Sequence, residues 1–268
     1  MNKKYQKLFS KLVPYYVCSH ELATRVNKKL LDQFFKETYY FNPLLLESRD
    51  FIEKIYHMDE ITFGSQQLGM DRWVFFDCSV MPGFVFGLMI NSSELDDSDR
   101  ETLGIEKNEF FPLSMYIAIP CAGGGWFGHN LSSLNGKLNY DLSGLGFLTK
   151  TLALKFFGIE KHLGATQWDS DSVFLHLKIS KLKLMSAYTP IHSIAETFSY
   201  EAETFHLESL LAGIQDQREK EQAVDFDPTL KNICELQEKI EAGALVYLLG
   251  VKKEKGKNIF QILYKDKF

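Results

Sequence analysis

The run Asp141-Leu-Ser-Gly144-Leu-Gly146-Phe147 opens a stretch in which Leu145, Leu148, Leu152 and Phe156 recur at helical spacing before Gly158. Glycines at a helix start permit close backbone approach, and the first N–H groups of a helix lack acceptors within it. With the positive end of the helix dipole they form an anion site, worth most for a diphosphate. The same glycines would also serve a tight loop-to-helix turn or close packing of the helix on a sheet. A lone Gly-x-Gly does not choose between these uses.

A second constellation lies upstream. The segment Ile117 to Pro120 reads as a strand running into Cys121-Ala-Gly-Gly-Gly-Trp126-Phe-Gly-His129. A glycine run after a strand resembles the oxyanion loop of α/β-hydrolase esterases, with Ala122 in the place of their histidine. The nucleophile would be Ser143, although its surroundings lack the flanking glycines of a nucleophile turn. His192 or His206 would be the base. Alternatively, Trp126, Phe127, Phe147 and Trp168 line an apolar pocket or pack in the core. Two polar clusters, Gln167 to His176 and Tyr188 to His192, could converge on a cleft.

The elements that must position these groups follow from hydrophobic period. Val13–Cys18 reads as a strand, then helices over 21–35 and 44–56. Four strands come next, at 60–67, 72–80, 84–90 and 113–120, best read as antiparallel. A loop over 121–130 and a polar stretch to Tyr140 lead to the glycine-started helix. Segment 164–168 is strand-like, 170–179 is a short helix or strand, and 182–188 is a strand. A charged helix over 204–222, a helix through Leu230 and Ile240 capped at Asp227-Pro228, and a hairpin about Lys252–Lys257 complete the chain. This predicts an α/β protein with a mixed, mainly antiparallel sheet flanked by helices. Residues 1–200 form the main domain, and 201–268 are a C-terminal helical and β-hairpin extension.

The order of strand, helices, antiparallel strands, glycine-started helix, strand, short helix and strand resembles that of the GNAT-type N-acyltransferases. Their third helix begins Gln/Arg-x-x-Gly-x-Gly/Ala, and here Asp141-x-x-Gly144-x-Gly146 matches at both glycines, with aspartate at the first position. The resemblance spans residues 13–190. It implies acyl-CoA as co-substrate, with the backbone of Gly144, Leu145, Gly146 and Phe147 on its diphosphate. It places an oxyanion-holding N–H on the strand Ile117–Ile119 and makes Tyr188 the acid for the departing thiolate. Glu109 or His129 would serve as base, directly or through water. The acceptor would be a small amine-bearing molecule. A non-catalytic acyl-binding module of the same shape is the other reading.

Composition narrows the classes. The 268 residues are 45% apolar and 24% charged, and 30 basic against 35 acidic side chains leave a net charge of −5, which offers no general attraction to nucleic acid or anionic lipid. No stretch approaches the roughly 18 apolar residues that span a bilayer. The four cysteines, Cys18, Cys78, Cys121 and Cys234, show neither metal-ligand nor disulfide spacing. No metal motif is present. A soluble, cytoplasmic protein with reduced thiols is expected.

Overall fold

Strand β1, Leu12–Cys18, is buried at every position but Val13, which is why its apolar run is continuous rather than alternating. The computed structural model describes residues 3–64, 69–80, 82–189, 196–203, 209, 211 and 222–265. The chain divides into two compact units, Met1–Ile159 and Glu160–Phe268.

In the first unit, β1 is flanked by β2 (Tyr39–Phe41) and β3 (Phe84–Asn91), followed outward by β4 (Phe110–Pro120) and β5 (Trp126–Ser133). Only the β1–β2 pairing is parallel among these. Register aligns Tyr40, Tyr16, Phe86, Tyr116 and Leu131 in one row across the sheet. The helices are α1 (Lys3–Lys11), α2 (His20–Ala23), α3 (Lys28–Leu31), α4 (Arg49–Phe63), α5 (Arg72–Val80), α6 (Asp97–Leu103) and α7 (Leu145–Phe156). Phe156 of α7 packs on the row, with ring centroids 5.0 Å from Tyr16 and 5.6 Å from Phe86. Because successive side chains alternate between faces, Tyr15 points the other way. It meets Phe51 of α4 at 4.9 Å.

Several sequence expectations need correction. Residues 60–63 and 72–80 are not strands: α4 runs through Phe63, and Arg72–Val80 is α5, while residues 65–67 of the first expected strand lie outside the described residues. Their buried residues, Ile55, Met58, Asp59 and Thr62 in α4 and Phe75, Cys78 and Ser79 in α5, follow helical spacing, which short apolar runs conceal. The helix expected over 21–35 breaks into α2 and α3, and the Asn27 N–H between them donates to the Phe156 carbonyl at 2.8 Å. The helix expected from Leu44 begins at Arg49, leaving Leu44, Leu45 and Leu46 exposed. The glycine-rich loop is shorter than expected, because residues 126–133 are β5. The charged helix expected over 204–222 falls almost wholly outside the described residues.

The second unit contains β6 (Lys161–Gln167), α8 (Ser172–Ile179), β7 (Leu182–Ser186), β8 (Thr197–Glu203), β9 (Val224–Phe226), α9 (Leu230–Glu241), β10 (Leu245–Glu254) and β11 (Lys257–Lys265). Its strands lie in the order β6-β8-β7-β10-β11-β9, with antiparallel pairing throughout. Thr229, rather than Asp227, caps α9 through a bond from the Asn232 N–H. Trp168 anchors the core against Phe198, Phe226 and Phe260, at centroid distances of 4.4, 5.4 and 4.9 Å. Residue 200, where the sequence reading divides the chain, lies within β8.

The Tyr15 hydroxyl, fully buried, donates to the Ser114 carbonyl at 2.9 Å. Phenylalanine at this position deprives that carbonyl of its side-chain donor while filling the same space. We expect Tyr15→Phe to lower unfolding free energy by about 1–2 kcal/mol in urea titrations with an unchanged m-value.

Candidate functional site

Helix α7 begins at Gly144, whose φ of 89° lies in the left-handed region that glycine enters without steric cost. No side chain caps the helix. The Leu145 N–H is engaged, donating to the Leu142 carbonyl at 2.9 Å, and the Ser143 N–H donates to Asp141 Oδ1 at 3.1 Å. The first turn closes with the Leu148 N–H donating to the Gly144 carbonyl at 3.0 Å. Gly144 is half-buried, whereas Leu145, Gly146 and Phe147 are enclosed. Tyr5 of α1 stacks on Phe147 at 5.8 Å.

The loop leading into this helix start is pinned from a distance. Asp99 of α6, itself capped into its helix by Asp96, is buried and accepts the N–H groups of Asn139 at 2.8 Å and Tyr140 at 2.9 Å. Lys7, exposed on α1, lies 6.0 Å from the Tyr140 ring centroid. The loop itself carries Lys137 and the exposed Asp141. Nothing in the sequence marks Asp99, which stands 40 residues before the backbone it holds.

At the far end of the same layer the β4–β5 ladder is interrupted. Ile117 pairs with Asn130 and Ala118 with Gly128, so His129 is an extra residue on β5. A bulged residue is left out of the ladder. This changes the expectation for the oxyanion donor: Ile117 is paired with both Val85 and Asn130, and Ile119 with Phe127. The irregularity in the β4–β5 ladder is at His129, across from the predicted strand. The His129 ring is solvent-accessible, yet partial burial lowers its pKa, keeping the imidazole mostly neutral at pH 7.

Glu109 is differently placed. It precedes β4, so some eight residues, or about 25 Å of strand, separate it from the bulge. It is ion-paired with Lys54 and accepts the Glu106 N–H at 2.7 Å. Burial raises its pKa, but these bonds and the Lys54 charge outweigh burial and leave it below the ordinary value. A carboxylate so engaged is a poor base. Tyr188 belongs to the second unit, where its N–H faces Gln237 Oε1 at 3.3 Å and its ring borders the Trp168 core.

The other sequence candidates separate. Gly123–Gly125 form the tip of the antiparallel β4–β5 hairpin, where the Cys121 N–H donates to the Gly125 carbonyl at 2.8 Å. This is a hairpin turn and not the oxyanion loop of a parallel sheet. Trp126 packs on Phe84 at 5.3 Å, Phe147 on Tyr5, and Trp168 within the second unit, so they share no single pocket wall. His176 is a buried residue of α8 beside Tyr200. His192 and His206 lie outside the described residues. Among the described residues no group of three or more His, Cys, Asp or Glu could hold a metal ion.

Between the helix start and the bulge lies Lys150, 2% exposed, with Nζ 5.6 Å from the Tyr116 ring centroid. It is the one charged residue from 142 to 154, and this was the sequence signal available for it. The Tyr116 hydroxyl is buried with no hydrogen-bond partner among the described residues, and Gly128 makes room for it, since a Cβ there would stand 2.5 Å from the oxygen.

Burial lowers the Lys150 pKa to about 7. Between this value and the ordinary lysine value near 10.5 the unfolded chain binds the extra proton, so this group's contribution to stability increases as pH rises across that window. Below about pH 7 both states are protonated and the burial penalty is fully felt. Chemical denaturation at a series of pH values should show this rising limb in the wild type and a flatter one in Lys150→Met.

No protein-family model and no curated protein matches the sequence. Solved structures do resemble the chain. A CoA-dependent acyl-homoserine lactone synthase, solved with SAM and isopentyl-CoA, is 10% identical with a TM-score of 0.43, covering 76% of this chain and 89% of its own. The ribosomal-protein-S18-alanine N-acetyltransferase of Escherichia coli is 9% identical with a TM-score of 0.40, covering 61% and 92%. An N-acyl amino acid synthase from uncultured soil microbes is 9% identical, also at 0.40, covering 62% and 90%. Each of these solved structures is similar to part of the chain, whose own mixed sheet is flanked by helices, with a glycine-started helix following the antiparallel strands.

Proposed function

We propose that this protein transfers an acyl group from a coenzyme A or carrier-protein thioester to a small amine-bearing acceptor. One observation carries the reading: a glycine-started helix end and a bulged strand pair lie at opposite ends of α7. Gly144 starts the helix. Phe157, just past its end, stacks on Phe84 at 3.6 Å, and Phe84 pairs with Ala118 opposite the His129 bulge. The twelve residues of α7 separate the two by roughly 20 Å. A ligand held at the helix start and reacting at the bulge needs an anionic head and a long arm, which describes a diphosphate-linked thioester better than a simple anion.

The residues present fit such a group at the helix start. Gly144 presents no side chain, the positive end of the helix dipole is there, and Lys7 stands beside Tyr140 in the incoming loop. The bound co-substrate would supply the activated acyl carbonyl. Of the chain's own groups, the His129 imidazole at the bulge would take a proton from the acceptor amine, directly or through water. Tyr188, the acid that the family resemblance implies, lies in the second unit and takes no part in the steps derived for the first.

Titration with coenzyme A, acetyl-CoA and a long-chain acyl-CoA, followed by thermal shift and by thiol release with a panel of amines, tests the reading. Stabilisation with turnover supports it. Stabilisation without turnover assigns a binding module, and no response, with a fluorophosphonate label on Ser143, assigns a hydrolase. Asp141→Asn retains an acceptor for the Ser143 N–H and removes a negative charge from the loop. At separations of 6–8 Å near the surface this predicts coenzyme A affinity increased by about 2- to 5-fold, with the gain shrinking in high salt.

A further inference from the structure

We propose that the groove between α4 and α5 is the contact surface of a twofold homodimer, with a second copy of this chain as its occupant. The groove lies within the first unit, measures about 570 Å³, and is lined by Leu44, Leu45 and Leu46 ahead of α4 and by Trp73 and Phe76 of α5. Three consecutive leucines are left outside because α4 starts at Arg49, and Leu46 is 82% exposed. Helix α5 is apolar on both faces: Phe75 and Cys78 are buried, while Trp73 is 66% and Phe76 46% exposed. A helix apolar all round is ordinarily covered on all sides. The five exposed side chains present roughly 600 Å² of apolar surface, at the upper end of what a monomer leaves uncovered and near the ~800 Å² that each partner gives to a standard interface.

Charges bordering the groove point to a second copy. Arg72 is committed, bonding both carboxylate oxygens of Glu53 and lying 4.9 Å from the Tyr56 ring centroid. Arg49 and Asp77 border the same groove, and neither forms an ion pair among the described residues. One unengaged cation and one unengaged anion on a single apolar face are self-complementary. In an isologous dimer every contact occurs twice with the roles exchanged, so the Arg49 of each protomer meets the Asp77 of its partner. Shape follows the same rule, because the face carries both a recess and the protruding Trp73, a residue type in which interface energy concentrates.

Other occupants fit less well. Small-ligand sites enclose about 70–90% of their guest, whereas the walls here, led by Leu46, stand open to solvent. An anionic bilayer would meet the exposed Glu47, Asp50 and Asp77 around Arg49. Self-association is independent of the acyl-transfer reading and needs no thioester.

Sedimentation equilibrium of the full-length protein over about 1 to 100 μM tests the proposal, and a reversible monomer–dimer equilibrium is expected. Trp73→Glu and Leu46→Glu change exposed side chains and should each leave only monomer across that range, with circular dichroism melting as the control for folding. Arg49→Asp alone and Asp77→Arg alone should each weaken the dimer by about tenfold, since each sets like charges opposite one another at two places. The double variant Arg49→Asp, Asp77→Arg should restore it to within about threefold. Aspartate at the first residue of α4 and arginine near the end of α5 both suit the helix dipoles, so these variants carry the test even where a glutamate in the groove lowers stability. Monomer at every concentration, a dimer indifferent to Trp73→Glu, or charge variants that the double change does not rescue would overturn the proposal. So would monomeric protein that sediments with phosphatidylglycerol vesicles and loses this on Trp73→Glu, which would assign the face to lipid.

Discussion

The enclosure of α7 is the constraint on which the first unit depends. From Leu145 to Leu154 every residue of this helix is buried, and Phe156 is buried as well. A helix covered on all sides cannot send its polar groups to water, so each must be bonded or held at an opening. Thr149 answers this by bonding both the Leu145 carbonyl at 2.9 Å and the Ser114 hydroxyl at 2.6 Å. The first turn differs, because no side chain caps it and it starts at Gly144, in the left-handed region, after a loop tied to Asp99. The aromatic row of Tyr16, Phe86 and Tyr116 beneath the helix fixes its distance from the sheet, and thereby the position of its start.

Lys150 and Tyr116 show what that enclosure costs. A buried ammonium is destabilised relative to water, and the face of the Tyr116 ring offsets part of that cost. Burial pushes the Tyr116 phenol well up, so this hydroxyl stays neutral.

Legibility from sequence followed the range of the interactions involved. The glycine-started helix, β1, β3 and the C-terminal hairpin were readable because caps, turn residues and continuous apolar runs are local signals. The errors fell where a short segment fits two periods. Ile61 to Phe63 alternates like a strand, yet Met58, Asp59 and Thr62 show the helical face once their packing is known. Strand β2 has three residues and β9 has three, too few for a period to register. At the start of α7, Gly144 was legible as the residue that opens the helix. The Asp99 clamp and the His129 bulge were not, because each depends on a partner strand or helix that sequence order does not bring near.

The two units also differ in how their charges are engaged. In the first, the positive end of α7 follows a loop that carries Lys137 and the exposed Asp141, with Lys7 beside Tyr140. In the second, the carboxylates of Asp169, Glu196 and Asp227 border one cavity and form no ion pair among the described residues. Neither arrangement follows from the net charge of −5, which averages over both. Local fields are set by which charges are paired. Lys253 contributes little to its cavity because Asp171 holds it, and Glu109 contributes little as a base because Lys54 holds it. Pairing, more than composition, therefore sets the local field in each unit, and counting charged residues along the chain does not reveal it.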